Sequence, residues 1–274
     1  MFAREARMGA RPPAVAGSFY PLEPGELQIM VETLIGEAKP SGEGELLGVI
    51  APHAGYMYSG PVAASAFAEV AAARHRFTRV LLVGPPHYVP VRGIAASSAG
   101  GFATPLGEIA VDVEAVASLV DAGLISIDDR AHAPEHSLEV ELPFLEVVLG
   151  RFALVPLLVG DAVPQEVAAV IGAVMDGRTL LVVSTDLSHY LDYSVAKARD
   201  LASASAIERL DDSKLGPHDA CGFSAVNGAL RAGRDRSWRI ERLDLRNSRD
   251  TSGTRGRVVG YGAWAFFAVE RPVA

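Results

Sequence analysis

Apolar runs of strand length recur along this chain, separated by stretches with helical spacing. "LLGVIA" (46–51), "RVLLVG" (79–84), "FALVPLLV" (152–159) and "TLLVVS" (179–184) are apolar at consecutive rather than alternate positions. That pattern predicts strands buried on both faces. Shorter strands fit 92–97 and 107–112 around the turn "TPLG", and two final ones fit 237–246 and 257–269. Between them, helices fit 26–38, 61–74, 113–122, 137–149, 164–175, 194–210 and about 222–232. Gly60 and Pro61 read as the opening of the second helix, because proline is best tolerated in a first turn.

Buried strands alternating with helices predict an α/β fold of three layers: a central, mainly parallel or mixed sheet with helices on both faces. No internal repeat or low-complexity linker divides the chain, and "PSGEGE" (40–45) reads as a short loop. One domain over residues 1–274 is therefore expected. In such sheets ligands bind outside the carboxyl ends of the strands.

Composition narrows the function classes. Hydrophobic residues make up 49% and charged residues 21%, enough apolar side chain for a large core. The net charge of −8, with no basic run interleaved with aromatics, speaks against a nucleic-acid partner. No apolar run reaches 18 residues, so no membrane span is expected. "MFAREARMGARPPAVAG" carries three arginines with no apolar stretch behind them, so it does not read as a secretory signal. A single cysteine, Cys221, rules out an internal disulfide and suits a reducing cytoplasm.

The chemistry concentrates just past the strand ends. "APHAGYMYSG" delivers His53 after the first buried strand, and "PPHYVP" delivers His87 after the second. "STDLSHY" follows "TLLVV" and brings Ser184, Asp186 and His189. A lone loop histidine is usually solvated, but two at parallel strand ends beside an Asp-x-x-His are a candidate metal or catalytic site. Neutral imidazole is a common ligand for zinc, iron and copper. A third ligand is needed, and Cys221 lies just ahead of a predicted helix, where the helix dipole favours a thiolate. Equally, Cys221 reads as a small buried apolar residue. Ser184, Asp186 and His189 carry the residue types of a hydrolase triad. No GxSxG surrounds the serine, though, and a triad gathers its members from separate elements. Asp186 orienting His189 for proton transfer fits better, with a loop aspartate capping a turn as the plain alternative. In "EHSLEVELPFLEVVLG", Leu138, Leu142, Leu145 and Leu149 mark a core face, and Glu139 and Glu141 read as solvated or capping. His136 either points into the same pocket or caps, and Glu135 just before it is, like Ser184, a weaker candidate. Gly55 would let the chain turn after His53, and Tyr56 and Tyr58 would line the pocket.

Nine segments occur here in the order that resembles the Memo-like family, whose bacterial and archaeal members are called AmmeMemoRadiSam system protein B. They are "PPAVAGSFYP", "APHAGYMYSGPVAA", "GPPHYVPVRGIAAS", "TPLGEIAVD", "EHSLEVELPFL", "VPLLVGD", "STDLSHY", "CG" and "VVGYGAWAF", spanning Pro12 to Phe266. The resemblance implies a fold similar to class III extradiol dioxygenases, which hold non-haem Fe(II) with two histidines and a carboxylate. By motif, the two metal histidines match His53 and His87, and the third ligand position falls on Cys221. His189 and His136 match acid/base histidines, and Asp186 belongs to the same pocket. A thiolate in place of the carboxylate shifts preference toward softer metals. The departures are Pro86, where a small polar residue is common, and "GFSAVNGAL" after Cys221.

The resulting expectation is a metal-dependent redox or oxygen-using enzyme acting on a small molecule or a modified residue. Iron(II) is the expected metal, with copper or zinc as alternatives. A radical SAM protein and an AMMECR1-like protein are the partners that the resemblance implies. The rival readings are a non-catalytic binding protein, since the family that the chain resembles includes animal members described as a phosphotyrosine-peptide adaptor and metal binder, and a Cys-His hydrolase with Cys221 as nucleophile.

Overall fold

The four consecutive-apolar runs form the middle of the main sheet. The structure, a computed structural model, describes residues 9–40, 42–253 and 256–269; the first eight residues of the N-terminal reading lie outside it. In chain order the strands are β1 (Ala10–Arg11), β2 (Leu46–Ala51), β3 (Arg79–Gly84), β4 (Ile94–Ala96), β5 (Gly101–Thr104) and β6 (Gly107–Ala110). They continue with β7 (Ser126–Ile127), β8 (Ala153–Val159), β9 (Thr179–Ser184), β10 (His189–Leu191), β11 (Arg239–Asn247) and β12 (Val258–Phe267). The helices are α1 (Pro24–Glu37), α2 (Tyr56–Ala72), α3 (Val113–Asp121), α4 (Asp129–His132), α5 (Leu142–Leu149), α6 (Pro164–Val174), α7 (Tyr193–Glu208), α8 (Phe223–Asp235) and α9 (Ser248–Ser252).

Strands β2, β9, β3 and β8 lie side by side and parallel. Antiparallel β12 joins β2 on one flank and antiparallel β4 joins β8 on the other. The sheet is therefore mixed, with a parallel centre, and β1, β5 and β6 form a second, small sheet. One helix group, α1, α2 and α5, packs together, with α2 on β2 and β12. A second group, α6 and α8, packs through α8 on β9. This is the three-layer α/β arrangement that the alternation predicts. Its consequence is positional. The carboxyl ends of β2, β9 and β3 share one edge, so the segments that follow them emerge as neighbours.

Three local expectations are corrected. Helix α2 begins at Tyr56 and carries Pro61 inside it. Tyr56 is buried, its hydroxyl donates to Val140 O at 2.7 Å, and its N–H bonds Phe19 O, which anchors a turn upstream of the proline. As the sixth residue of α2, Pro61 removes one i→i−4 hydrogen bond and crowds the Met57 carbonyl, a local cost set against the anchoring of Tyr56. Gly55 is the N-cap residue with φ −55, so no left-handed turn is required of it. The helix expected over 137–149 is a short 3-10 turn at Glu139–Glu141 followed by α5, because Pro143 cannot donate to the preceding turn.

His132, at the end of α4, is buried with Nε2 3.0 Å from Ala95 O, and burial brings it down to about 4. The folded state therefore binds this proton less readily than the unfolded chain does. Stability is complete above the ordinary value near 6.5 and falls as pH drops from there toward 4. The loss should reach about 3 kcal/mol. Urea midpoints measured across that range should show the drop, and His132→Gln should make it shallower by this residue's share, with His53, His136 and His189, also lowered by burial, keeping theirs. An equally steep profile in that variant would assign the acid sensitivity elsewhere.

Candidate metal centre

His53 follows β2, Asp186 follows β9 and His87 follows β3, and β9 lies between the other two strands. The topology thus gathers residues far apart in sequence. His53 is buried. Its Nδ1 lies 2.7 Å from Ser184 Oγ, and its backbone N–H donates to Asp186 Oδ1 at 2.9 Å. Burial, reinforced by His87, His136 and His189, holds His53 well below the usual histidine range, so its ring is neutral. His87 Nδ1 bonds Glu135 Oε1 at 2.8 Å, and its backbone N–H reaches the other carboxylate oxygen.

Glu135 also accepts the backbone N–H groups of His136 and Ser137, each at 2.9 Å. Burial opposes its ionisation, but the bonds from His87 and Ser137 outweigh that and bring it down to about 2. An ionised Glu135 makes His87 Nδ1 the protonated nitrogen and leaves Nε2 with a lone pair.

His136 stacks on His87 at 4.6 Å, with Phe19 edge-on at 4.9 Å. Burial lowers it to about 4. Its Nδ1 lies 3.4 Å from Glu135 Oε1 without hydrogen-bond alignment, so this buried nitrogen has no hydrogen-bond partner among the described residues. One nitrogen from each of His53, His87 and His136 lies within 4.8 Å of the other two. His136 therefore faces the pocket, the first of its two expected roles.

Cys221 comes from the turn before α8. Its N–H donates to Asp186 O, the next N–H donates to Thr185 Oγ1, and Sγ accepts from Asp186 N at 3.2 Å. Gly222 permits this docking: a Cβ there would stand 2.8 Å from Ser184 O. Sγ is 3.4 Å from His53 Nε2. Nitrogen and sulfur sharing one tetrahedral metal stand about 3.6 Å apart, so the spacing fits a shared ion. The expected thiolate is not favoured in the metal-free protein. Burial, with Asp186 nearby, pushes the thiol up to about 12, and the helix dipole does not offset it. A hydrolase nucleophile there would start almost wholly protonated.

Asp186 and His189 line the same cavity of about 650 Å³ as His53, His87 and His136. Burial raises Asp186 to about 7 despite the N–H groups of His53 and Ala54. Its carboxylate holds the His53 loop, and among the described residues no hydrogen bond joins it to His189, contrary to the expected orienting role. His189 is lowered by burial. It sits where β10 bulges, next to Tyr190 in the left-handed conformation at φ 55. Phe19, Tyr58, Tyr88 and Tyr261 also line the cavity, and Arg257 is its exposed guanidinium. Tyr56 does not: it packs on Tyr20 and Phe144 in the core.

Sequence reasoning undervalued Glu135 and Ser184 and misread two glutamates. Glu139 and Glu141 are wholly buried. One signal existed: between Arg130 and Arg151 there is no lysine or arginine, although a solvated helix face usually mixes both charges.

Comparison with known proteins gives one consistent answer. The family model described as Memo-like protein matches residues 11–265. A MEMO1 family protein of Aeropyrum pernix is 36% identical over 93% of this chain and 99% of its own length. That of Methanopyrus kandleri is 35% identical (93% and 98%), and that of Thermotoga neapolitana 36% identical (92% and 97%). Among the described residues no helix is long and apolar enough to cross a membrane.

Proposed function

The chain belongs to the Memo-like family, and from that premise we propose that it is a metal-dependent redox or oxygen-using enzyme acting on a small molecule or a modified residue. His53, His87 and Cys221 would hold the metal, iron(II) foremost, with copper or zinc as alternatives. The observation that carries this reading is the convergence of three imidazoles and a thiol at the strand-end cavity. A bound transition metal would supply Lewis acidity and electron transfer there. The chain's own groups do the remaining work. Glu135 aims the His87 ring, and Asp186 near neutrality can hold or release a proton beside the cavity. His136 and His189, both neutral, are available to accept one. A radical SAM protein and an AMMECR1-like protein are proposed as partners on the family resemblance, and the cytoplasm as the compartment that keeps Cys221 reduced.

One observation favours a second ligand set: His136 lies inside the three-nitrogen cluster and Cys221 does not. Metal titration of anaerobically purified variants separates the two. Under the thiolate set, Cys221→Ser weakens binding by more than about 10-fold and reduces copper preference, while His136→Ala leaves affinity within about 3-fold. The reverse order would replace Cys221 by His136. Dioxygen uptake by the iron-loaded protein tests the enzyme reading. Full metal occupancy with no uptake across a panel of catechols and phenols would favour a binding protein.

A further inference from the structure

Ser184 Oγ is shared by three partners, each at 2.7 Å: Ser137 O, Glu141 Oε1 and His53 Nδ1. All four residues are buried. A serine hydroxyl has one hydrogen to donate and two lone pairs to accept with. The Ser137 carbonyl can only accept, so the single hydrogen belongs to it. The other two partners must then donate. His53 donates from Nδ1, and Glu141 donates a carboxyl hydrogen. Any other assignment leaves two acceptors facing each other at 2.7 Å in the interior, a costly arrangement.

The surroundings of Glu141 agree. No cationic side chain among the described residues bonds it, and its Oε2 has no hydrogen-bond partner among them. A lone carbonyl oxygen of a neutral acid is tolerable there, whereas half of an ionised carboxylate is not. Burial independently pushes the Glu141 carboxyl well above the usual range. On the far side of the ring, Cys221 Sγ lies 3.4 Å from His53 Nε2.

We infer that Glu141 is a neutral carboxylic acid and that Glu141, Ser184 and the Ser137 carbonyl form a positioning device that fixes His53 as the Nδ1–H tautomer. Nε2 is then the free nitrogen, facing Cys221. Glu141 and Ser184 are positioning residues, acting through His53. The consequence for metal binding rests on the reading of His53 as a ligand; the tautomer does not.

The experiment uses the full chain, metal-free and labelled with ¹⁵N-histidine. Two-bond proton–nitrogen correlations report which ring nitrogen carries hydrogen, and loss of one set in His53→Gln assigns it. The expected result is a protonated Nδ1 and a bare Nε2. Glu141→Gln should preserve this pattern and hold iron(II) affinity within about 3-fold, because the amide also donates to Ser184. Ser184→Ala should remove the preference and weaken iron(II) binding by about 10–100-fold, and Ser184→Thr should restore both. A wild-type His53 protonated at Nε2 would overturn the inference. So would a Glu141→Gln variant as impaired as Ser184→Ala, since an ionised carboxylate would then be required. If Ser184→Ala does not fold, the wild-type tautomer and Glu141→Gln still decide. The expected tautomer in a wild-type chain that binds no metal would uphold the inference and sink the metal reading alone.

Discussion

Metal content is expected to fall to near zero in His53→Ala and in His87→Ala, with the fold retained in both. The reason is orientation as much as ligand count. Each ring is held through Nδ1, His53 by Ser184 and His87 by Glu135, so each Nε2 is the nitrogen left for a metal. Losing a supporting partner of a ligand typically costs about 10–100-fold in affinity, and losing the ligand itself should exceed that. Folding should survive because neither ring carries the core: His87 is partly exposed, and His53 leaves behind hydroxyl and amide groups that still have other partners. Metal analysis after anaerobic purification gives the content, and far-ultraviolet circular dichroism with thermal midpoints gives the fold. Two folded variants that both keep a full complement of metal would remove the centre from this edge of the sheet.

Arg11→Met is expected to destabilise the protein by about 3–5 kcal/mol, the range found when one partner of a buried ion pair is removed. Arg11 and Glu139 are both buried and meet at 2.8 Å. Glu139 also accepts Ala14 N, Val15 N and the Tyr20 hydroxyl, so it ties the segment 11–20 to the site loop. Arg11 in turn donates to the carbonyls of His132, Ala133 and Glu135. Without the guanidinium, a buried carboxylate keeps its backbone donors but loses its counter-charge. Because Arg11 holds the carbonyl of Glu135, the variant should also bind metal more weakly, as the His87 clamp and His136 loosen together. Urea denaturation gives the stability change. A loss below about 1 kcal/mol would mean that the remaining donors satisfy Glu139 unaided.

The strands that carry the site were legible because consecutive apolar residues have one plain reading, burial on both faces. His53, His87 and the Asp186–His189 segment were legible as strand-end chemistry for the same reason: polar residues of those types do not follow buried strands by need of the fold. Helix starts were less readable. Pro61 suggested a boundary that the buried Tyr56 overrode, since a side chain's packing can outweigh the local cost of a proline.

Glu139 and Glu141 show where the reading fails. In sequence they are two acids in a leucine-rich stretch, and a solvated face is the ordinary expectation. Their burial depends on Arg11, well over a hundred residues upstream, and on Ser184, some forty downstream. The same holds for His136 joining the two strand-end histidines, and for Cys221 approaching His53 across a turn that only Gly222 allows. The sequence by itself determined the alternation of strand and helix, the sheet edge and the residue types gathered there, because periodicity and strand burial are local properties of the chain. Tertiary structure alone decided which nitrogens are free, which acids are charged and which donors meet, because those depend on distances between segments far apart in sequence and on how completely each group is withdrawn from solvent.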